Sequence, residues 1–220
     1  MGNIQSITDK LIQRYSDRYK KSGRSISTLG WGSREQQEYR FGISLNLLPD
    51  LEKSSILDVG CGFGDFHRFL KDRGKASGRY CGIDINPDLI SEAQKTASGS
   101  DSEFKVFNLL QDDLSQIDTY DYVFMFGLLN FRLREEMTNT EYSQLFIKKA
   151  FSVAQKSLVL DFISSHRDSS YPEEDFIYYH DPIEMLEYCL SLTPHVTLLH
   201  DYQSIPQREC TIVLSRQPRV

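Results

Sequence analysis

Residues 56–64 read Ile-Leu-Asp-Val-Gly-Cys-Gly-Phe-Gly, a short apolar strand that runs straight into glycines at three alternate positions, Gly60, Gly62 and Gly64. Glycine lets the backbone turn tightly and lets a ligand approach where a Cβ would intrude. Twenty residues beyond Gly64, a second apolar strand, Tyr80-Cys-Gly-Ile, delivers an acid, Asp84. A carboxylate there accepts hydrogen bonds from a ribose diol, so the two features predict a strand–helix–strand nucleoside site.

Outward from this stretch the pattern alternates strand and helix, which implies an α/β fold with a parallel sheet covered on both faces. Strands are expected at 55–59, 79–84, 103–107, 120–125, 157–162, 195–201 and 209–216. Helices are expected at about 64–73, 87–97, 140–155 and 183–191, the second opening on Pro87. Only Tyr202-Gln-Ser-Ile-Pro-Gln207 separates the last two strands, too short for a crossover helix. One strand is therefore reversed in a doubly wound, Rossmann-like sheet of seven. Upstream, Ile4, Ile7, Leu11, Tyr15 and Tyr19 recur at helical spacing, predicting an amphipathic helix over 4–20. Ser22–Ser27 breaks it. A second helix starts near Ser33 and runs towards Leu48, where Pro49 ends it. The chain reads as one domain overall, a body at 50–220 preceded by a helical arm or lid, 1–49, that closes over the site.

Hydrophobic residues make up 40% of the 220 and charged residues 25%, ordinary globular composition with no repeat or low-complexity tract. The formal net charge of −6 argues against a general affinity for nucleic acid. The charge is uneven, because residues 1–40 hold eight Lys or Arg against four acids. That basic segment suits an anionic substrate or a solvated helix face equally well. No run reaches the roughly 18 apolar residues of a membrane span, and the start lacks a signal-peptide stretch. Met1-Gly-Asn-Ile-Gln-Ser6 fits the short N-myristoylation pattern, which has little specificity. Cys61, Cys81, Cys189 and Cys210 are scattered, with no Cys-x-x-Cys pair, and predict a reduced, cytoplasmic protein without a structural metal.

The glycine spacing discriminates between nucleotides. A dinucleotide turn wants Gly-x-Gly-x-x-Gly, so that a pyrophosphate sits on the helix N-terminus. Here the third glycine comes one residue early and Asp65 follows it. A carboxylate at that mouth repels a diphosphate and suits a cation, such as the sulfonium and ammonium of S-adenosylmethionine. Asp58-x-Gly60-x-Gly62-x-Gly64, with Asp84 closing the next strand, resembles the class I S-adenosylmethionine-dependent methyltransferases over residues 50 to about 216. Gly30-Trp-Gly-Ser-Arg-Glu35 and Tyr178-Tyr-His-Asp-Pro182 resemble, more narrowly, small bacterial members of that family. The resemblance implies that Asp58 and the turn Gly60, Cys61, Gly62 and Gly64 meet the methionine part of the cofactor. Asp84 would hold the ribose and Ile85 would pack on the adenine. Where the family ends its third strand with an acid, this chain has Asn108-Leu109, whose amide oxygen can still accept from the adenine amino group; Asp112 and Asp113 are the fallback. Phe126 and Gly127, closing strand four, would lie beside cofactor and acceptor.

Methyl transfer from a sulfonium is an in-line displacement with a good leaving group, so alignment in a dry pocket supplies most of the catalysis. A base is needed only if the acceptor must lose a proton. His166, soon after strand five, and His180, among aromatic neighbours, are the candidate bases, each with the alternative of a surface loop histidine. Asn130 and Arg132, just past strand four, are candidates to orient an acceptor. Trp31, between two glycines, is a candidate lid facing the sulfonium or, equally, an anchor for the arm. Arg34 is a candidate partner for the cofactor carboxylate. The loop Gly127-Leu-Leu-Asn130 lacks an Asn-Pro-Pro-Tyr type sequence, and Glu135-Glu136 lacks the surroundings of a protein arginine methyltransferase. The reading is an O- or N-methyltransferase for a small molecule, monomeric or homodimeric, with no membrane partner. The alternatives are a non-catalytic partner subunit of the same fold and an RNA- or protein-directed enzyme that grips through the basic arm.

Overall fold

A computed structural model describes residues 4–48, 51–75, 78–96, 102–134, 137–203 and 205–218. Pro49, Glu135, Glu136 and the first three residues of the myristoylation pattern lie outside the described residues. Strand β1 (Ser55–Val59) sends Ile56 to one face of a sheet and Leu57 and Val59 to the other. Each of these three side chains is buried. Apolar residues on both sides of a strand require helices on both sides of the sheet.

Seven strands follow the order β3-β2-β1-β4-β5-β7-β6. The parallel members are β1, β2 (Arg79–Asp84), β3 (Ser102–Val106), β4 (Tyr120–Met125) and β5 (Ala154–Ile163). β7 (Glu209–Ser215) runs antiparallel to both β5 and β6 (Val196–Leu199). The expected reversed strand is thus present, inserted between β5 and β6. The covering helices are α3 (Asp65–Asp72), α4 (Pro87–Thr96), α5 (Asn139–Ser152) and α6 (Pro182–Leu192).

The helix expected to reach residue 155 stops at Ser152, and β5 starts at Ala154, earlier than expected. Val153 and Ala154 keep the apolar phase of the helix, so periodicity alone cannot see the change. Val153 caps α5, and Ala154 pairs with Tyr120 in the sheet. In the arm, α1 (Ile4–Ser22) and α2 (Arg34–Asn46) form as read, with the Ser33 hydroxyl capping Gln36 N–H at 3.2 Å.

The arm is fastened by a buried charge. Arg40 of α2 ion-pairs with Glu209 at the start of β7 and lies 3.9 Å from Asp161 of β5. All three side chains are at most 6% exposed. Burial depresses the Arg40 pKa and raises that of Asp161, and their mutual attraction opposes both shifts. Removing one member of such a set strands the others without compensation. Replacing Arg40 by Met should therefore cost about 3–5 kcal/mol in urea unfolding. A loss under about 1 kcal/mol, the value of an exposed pair, would show that the network does not fasten the arm.

Candidate active site

The sheet order reverses between β1 and β4, and their carboxyl ends open into a cavity of about 490 Å³. Gly60 and Cys61 N–H both donate to the Ile83 carbonyl, at 2.8 and 3.0 Å, folding the turn after β1 against β2. Gly60 and Gly62 have φ of +75° and +53°, the left-handed region that suits glycine. A Cβ on Gly60 would sit 2.7 Å from Leu128 Cδ1, and one on Gly62 would sit 2.9 Å from Leu29 Cδ2. Leu29 belongs to the arm, so the arm lies directly on the glycine turn.

Three carboxylates line this half of the cavity. Asp58 accepts from the Tyr80 hydroxyl at 2.6 Å; burial, partly offset by that bond, pushes its pKa up to about 7. Asp84 accepts from Gly62 N–H at 3.0 Å and Asn86 N–H at 2.9 Å. Burial raises its pKa, and these backbone bonds oppose the rise. Asp65, first residue of α3, accepts from Gln37 at 3.3 Å and Arg68 at 2.5 Å. No diphosphate would be welcome beside three acids, whereas a cationic ligand fits. Ile85, Leu109, Phe126 and Gly127 line the same cavity. Asn108 does too, but its amide oxygen already accepts from Leu110 N–H at 3.0 Å, and its Nδ2 donates to Thr8 and Gln111. Asp112 and Asp113 cap local backbone at exposed positions outside the lining.

The arm supplies one wall of the cavity, through residues of α1 that the sequence reading did not single out. Thr8, Leu11, Arg14, Tyr15 and Arg18 of α1 all line it. Hydrogen bonds hold α1 there: Asn86 Nδ2 to the Ile12 carbonyl at 3.1 Å, Ser16 to Asp88 at 2.6 Å and Tyr19 to Glu92 at 2.7 Å. The available signal was a polar edge, Thr8 and Ser16, next to the apolar stripe.

The cavity edge of Trp31 approaches Gly127, where an added Cβ would lie 3.3 Å from its ring. Its ring carries the Arg40 guanidinium, with Cζ 4.3 Å from the centroid. Asp161 holds the same spot from below, accepting from Gly127 N–H at 2.6 Å. Arg34 is exposed at the start of α2 and does not line the cavity, because its neighbour one helical turn and a half on, Arg40, takes the inward face. Gly64 lies behind the turn, where a Cβ would strike the Phe104 ring at 2.8 Å, so packing accounts for it.

Neither histidine belongs to the cavity lining. His180 is buried against Phe162 and Tyr178, and its Nε2 pairs with the Leu129 carbonyl at 3.0 Å. Burial depresses its pKa, as suits a neutral ring that joins two loops. His166 is exposed beside His200. Aromatic neighbours therefore signalled packing at His180, not an enclosed reaction site. Arg132 also ties loops together, donating to the Phe176 and Ile177 carbonyls at 2.9 and 3.0 Å. Asn130 does line the cavity; its amide oxygen is fixed by Ile163 N–H at 2.8 Å. Phe131, Tyr171, Phe176, Ile177 and Ile205 complete that end. Among the described residues there is no cluster of His, Cys, Asp and Glu able to hold a metal, and no helix long and apolar enough to cross a membrane.

Residues 56–155 match the family model described as a methyltransferase domain. The Mycobacterium tuberculosis protein Rv1506c, itself a methyltransferase by assignment, is 26% identical over 151 residues, 67% of this chain and 86% of that protein. The tRNA U34 carboxymethyltransferase of Shewanella frigidimarina is 26% identical over 60% of this chain, which spans only 39% of that enzyme. Among solved structures, magnesium protoporphyrin IX methyltransferase from Synechocystis PCC 6803 superposes with a TM-score of 0.70 at 16% identity, covering 98% of this chain and 100% of that one. That likeness carries the fold, and the family match falls on the strand, turn and acid just described. Residues 56–155 thus carry a methyltransferase domain, and the fold is that of the class I S-adenosylmethionine-dependent methyltransferases.

Proposed function

We propose that this enzyme methylates an oxygen or nitrogen of a small molecule. The observation that carries the reading is the cavity of about 490 Å³, walled on one side by α1 and by Ser27 and Leu29–Gly32, a volume typical of small-molecule sites. When bound, S-adenosylmethionine supplies an electrophilic methyl; the acceptor lone pair takes it, and the C–S bonding electrons return to sulfur.

The residues of this chain then have these roles. Asp84, already oriented by two backbone donors, accepts from the ribose hydroxyls. Asp58 and the turn Gly60–Gly62 face the amino-acid part, Asp58 by charge and the glycines by leaving room. Ile85, Asn108 and Leu109 flank the base. Phe126 and Gly127 stand where methyl and acceptor meet, with Trp31 closing that point from the arm. Asn130 has its oxygen fixed by Ile163, which leaves its amide donor to orient the acceptor. With both histidines outside the lining, the chain aligns an acceptor that is already nucleophilic at neutral pH and moves no proton through imidazole.

A tRNA-modifying relative and the basic arm favour RNA as a second reading. Incubation with methyl-labelled cofactor and fractionated cell extract tests both. Label in a low-mass fraction is expected, and label that stays with nuclease-sensitive material would overturn the small-molecule reading.

Replacing Asp84 by Ala should weaken S-adenosylhomocysteine binding about 100-fold by calorimetry, two charge-assisted hydrogen bonds being lost. Unchanged affinity would remove Asp84 from the site. Asp58 makes a second, pH-dependent expectation. Its folded pKa of about 7 lies above the unfolded value, so the folded chain keeps a proton that the unfolded chain sheds between about pH 4 and 7. Stability falls as pH rises through that window. Asp58→Asn keeps an acceptor for Tyr80 and should melt several degrees above the parent at pH 8.5, the difference closing towards pH 4. The ionised form is also the one that attracts an ammonium, so parent affinity for S-adenosylhomocysteine should drop as pH falls from 8 to 6, and the Asn variant should show no such slope.

A further inference from the structure

Three arginines line the cavity, and the structure treats them differently. Arg40 is paired with Glu209 and faces Asp161. Arg18 donates to the Ser27 carbonyl, pinning the segment after α1 back onto that helix. Arg14 has neither a hydrogen bond nor an ion pair to any described residue; its only close companions are rings. Its Cζ lies 5.0 Å from the centroid of Phe131 and 5.5 Å from that of Phe176.

The acids of the cavity are all engaged elsewhere. Asp58 holds Tyr80, Asp65 holds Gln37 and Arg68, and Asp84 holds the backbone of Gly62 and Asn86. Glu174, the one acid at the far end, accepts from Gln207 at 2.7 Å. A guanidinium left without an anion, in a cavity otherwise rich in carboxylates, is a place for an anionic ligand group. The surfaces beside it specify the rest of that ligand. Phe176 and Tyr171 both line the cavity at its mouth and remain 47% and 38% exposed, large for aromatic side chains. Phe131 bridges to Ile177 in the wall opposite α1.

We propose that Arg14 is the anion-binding residue of the acceptor site and that the acceptor is a small aryl carboxylic acid. Its ring lies among Phe131, Tyr171 and Phe176, and its carboxylate takes the N–H donors of Arg14, whose Cζ already lies over two of those rings. The proposal rests on the small-molecule reading above and adds the chemical class. α1 then serves both halves of the reaction, Tyr15 standing by the cofactor end and Arg14, one residue earlier, by the acceptor end.

The test uses the full chain loaded with S-adenosylhomocysteine, titrated calorimetrically with benzoate, 4-hydroxybenzoate and cinnamate and with the amide of each. At least one acid should bind, roughly 10- to 100-fold more tightly than its amide. Arg14→Gln should bring the acid down to the level of the amide while affinity for S-adenosylhomocysteine stays within about twofold, which also certifies the variant as folded. Equal binding of acid and amide, full acid affinity in the variant, or no acid bound by the loaded parent would each overturn the proposal. So would Arg14-dependent binding of a short RNA stem-loop with none of the acids. If the parent fails to bind S-adenosylhomocysteine at all, it is the methyl-donor reading that falls, a result distinct from the others.

Discussion

A single buried guanidinium holds the parts of this molecule in register. Arg40 comes from the arm, Asp161 from β5 and Glu209 from β7, three segments far apart in the chain. Each charge is removed from water, so none is tolerable without the others. The consequences spread along rigid connections. Asp161 also positions Gly127 at the end of β4, and Arg40 carries Trp31 on its face against that same glycine. The end of the central strand, the reversed strand and the arm are therefore set by one cluster. A hydrophobic patch could have supplied comparable adhesion, but not this fixed geometry of three elements about one backbone N–H.

The arm is as much a part of the cavity as the sheet is. α1 packs Ile7 into the larger core cluster and presents its neighbours to the cavity. Its polar edge meets Asn86, Asp88 and Glu92, which open and line α4. The cofactor half of the site thus lies between a sheet edge built for nucleosides and a helix from outside that sheet.

Strand and helix order was legible because it depends on local alternation and on punctuation by Gly and Pro. The motif residues Asp58, Gly60, Gly62 and Asp84 reach one cavity because the strand–turn–helix unit that brings them together spans only a short stretch of chain. What was not legible depends on distant pairing. Arg34 and Arg40 are indistinguishable as sequence, since the choice between them is which face of α2 meets Asp161 and Glu209. His180 sits among Tyr178 and Tyr179, and nothing local says whether such rings enclose a ligand or one another. The polar residues Thr8 and Ser16 of α1 find their partners 103 and 72 residues away. Val153 and Ala154 mislead for a different reason: an apolar pair fits the end of a helix and the start of a strand equally well.

The glycine turn has a further implication for how such motifs are interpreted. Gly60 is bounded by Leu128, Gly62 by Leu29 and Gly64 by Phe104, all side chains of the protein itself. A bulkier residue at any of the three would be rejected before a ligand arrived. In a descendant that lost its methyl donor but kept its arm and its loops, selection for foldability would still preserve these glycines. The durable record of ligand use would lie instead in Asp58, a carboxylate whose ionisation costs the empty protein stability and which only a bound cation rewards. Comparative reading of this fold would gain more from that acid than from the glycines that first attract notice.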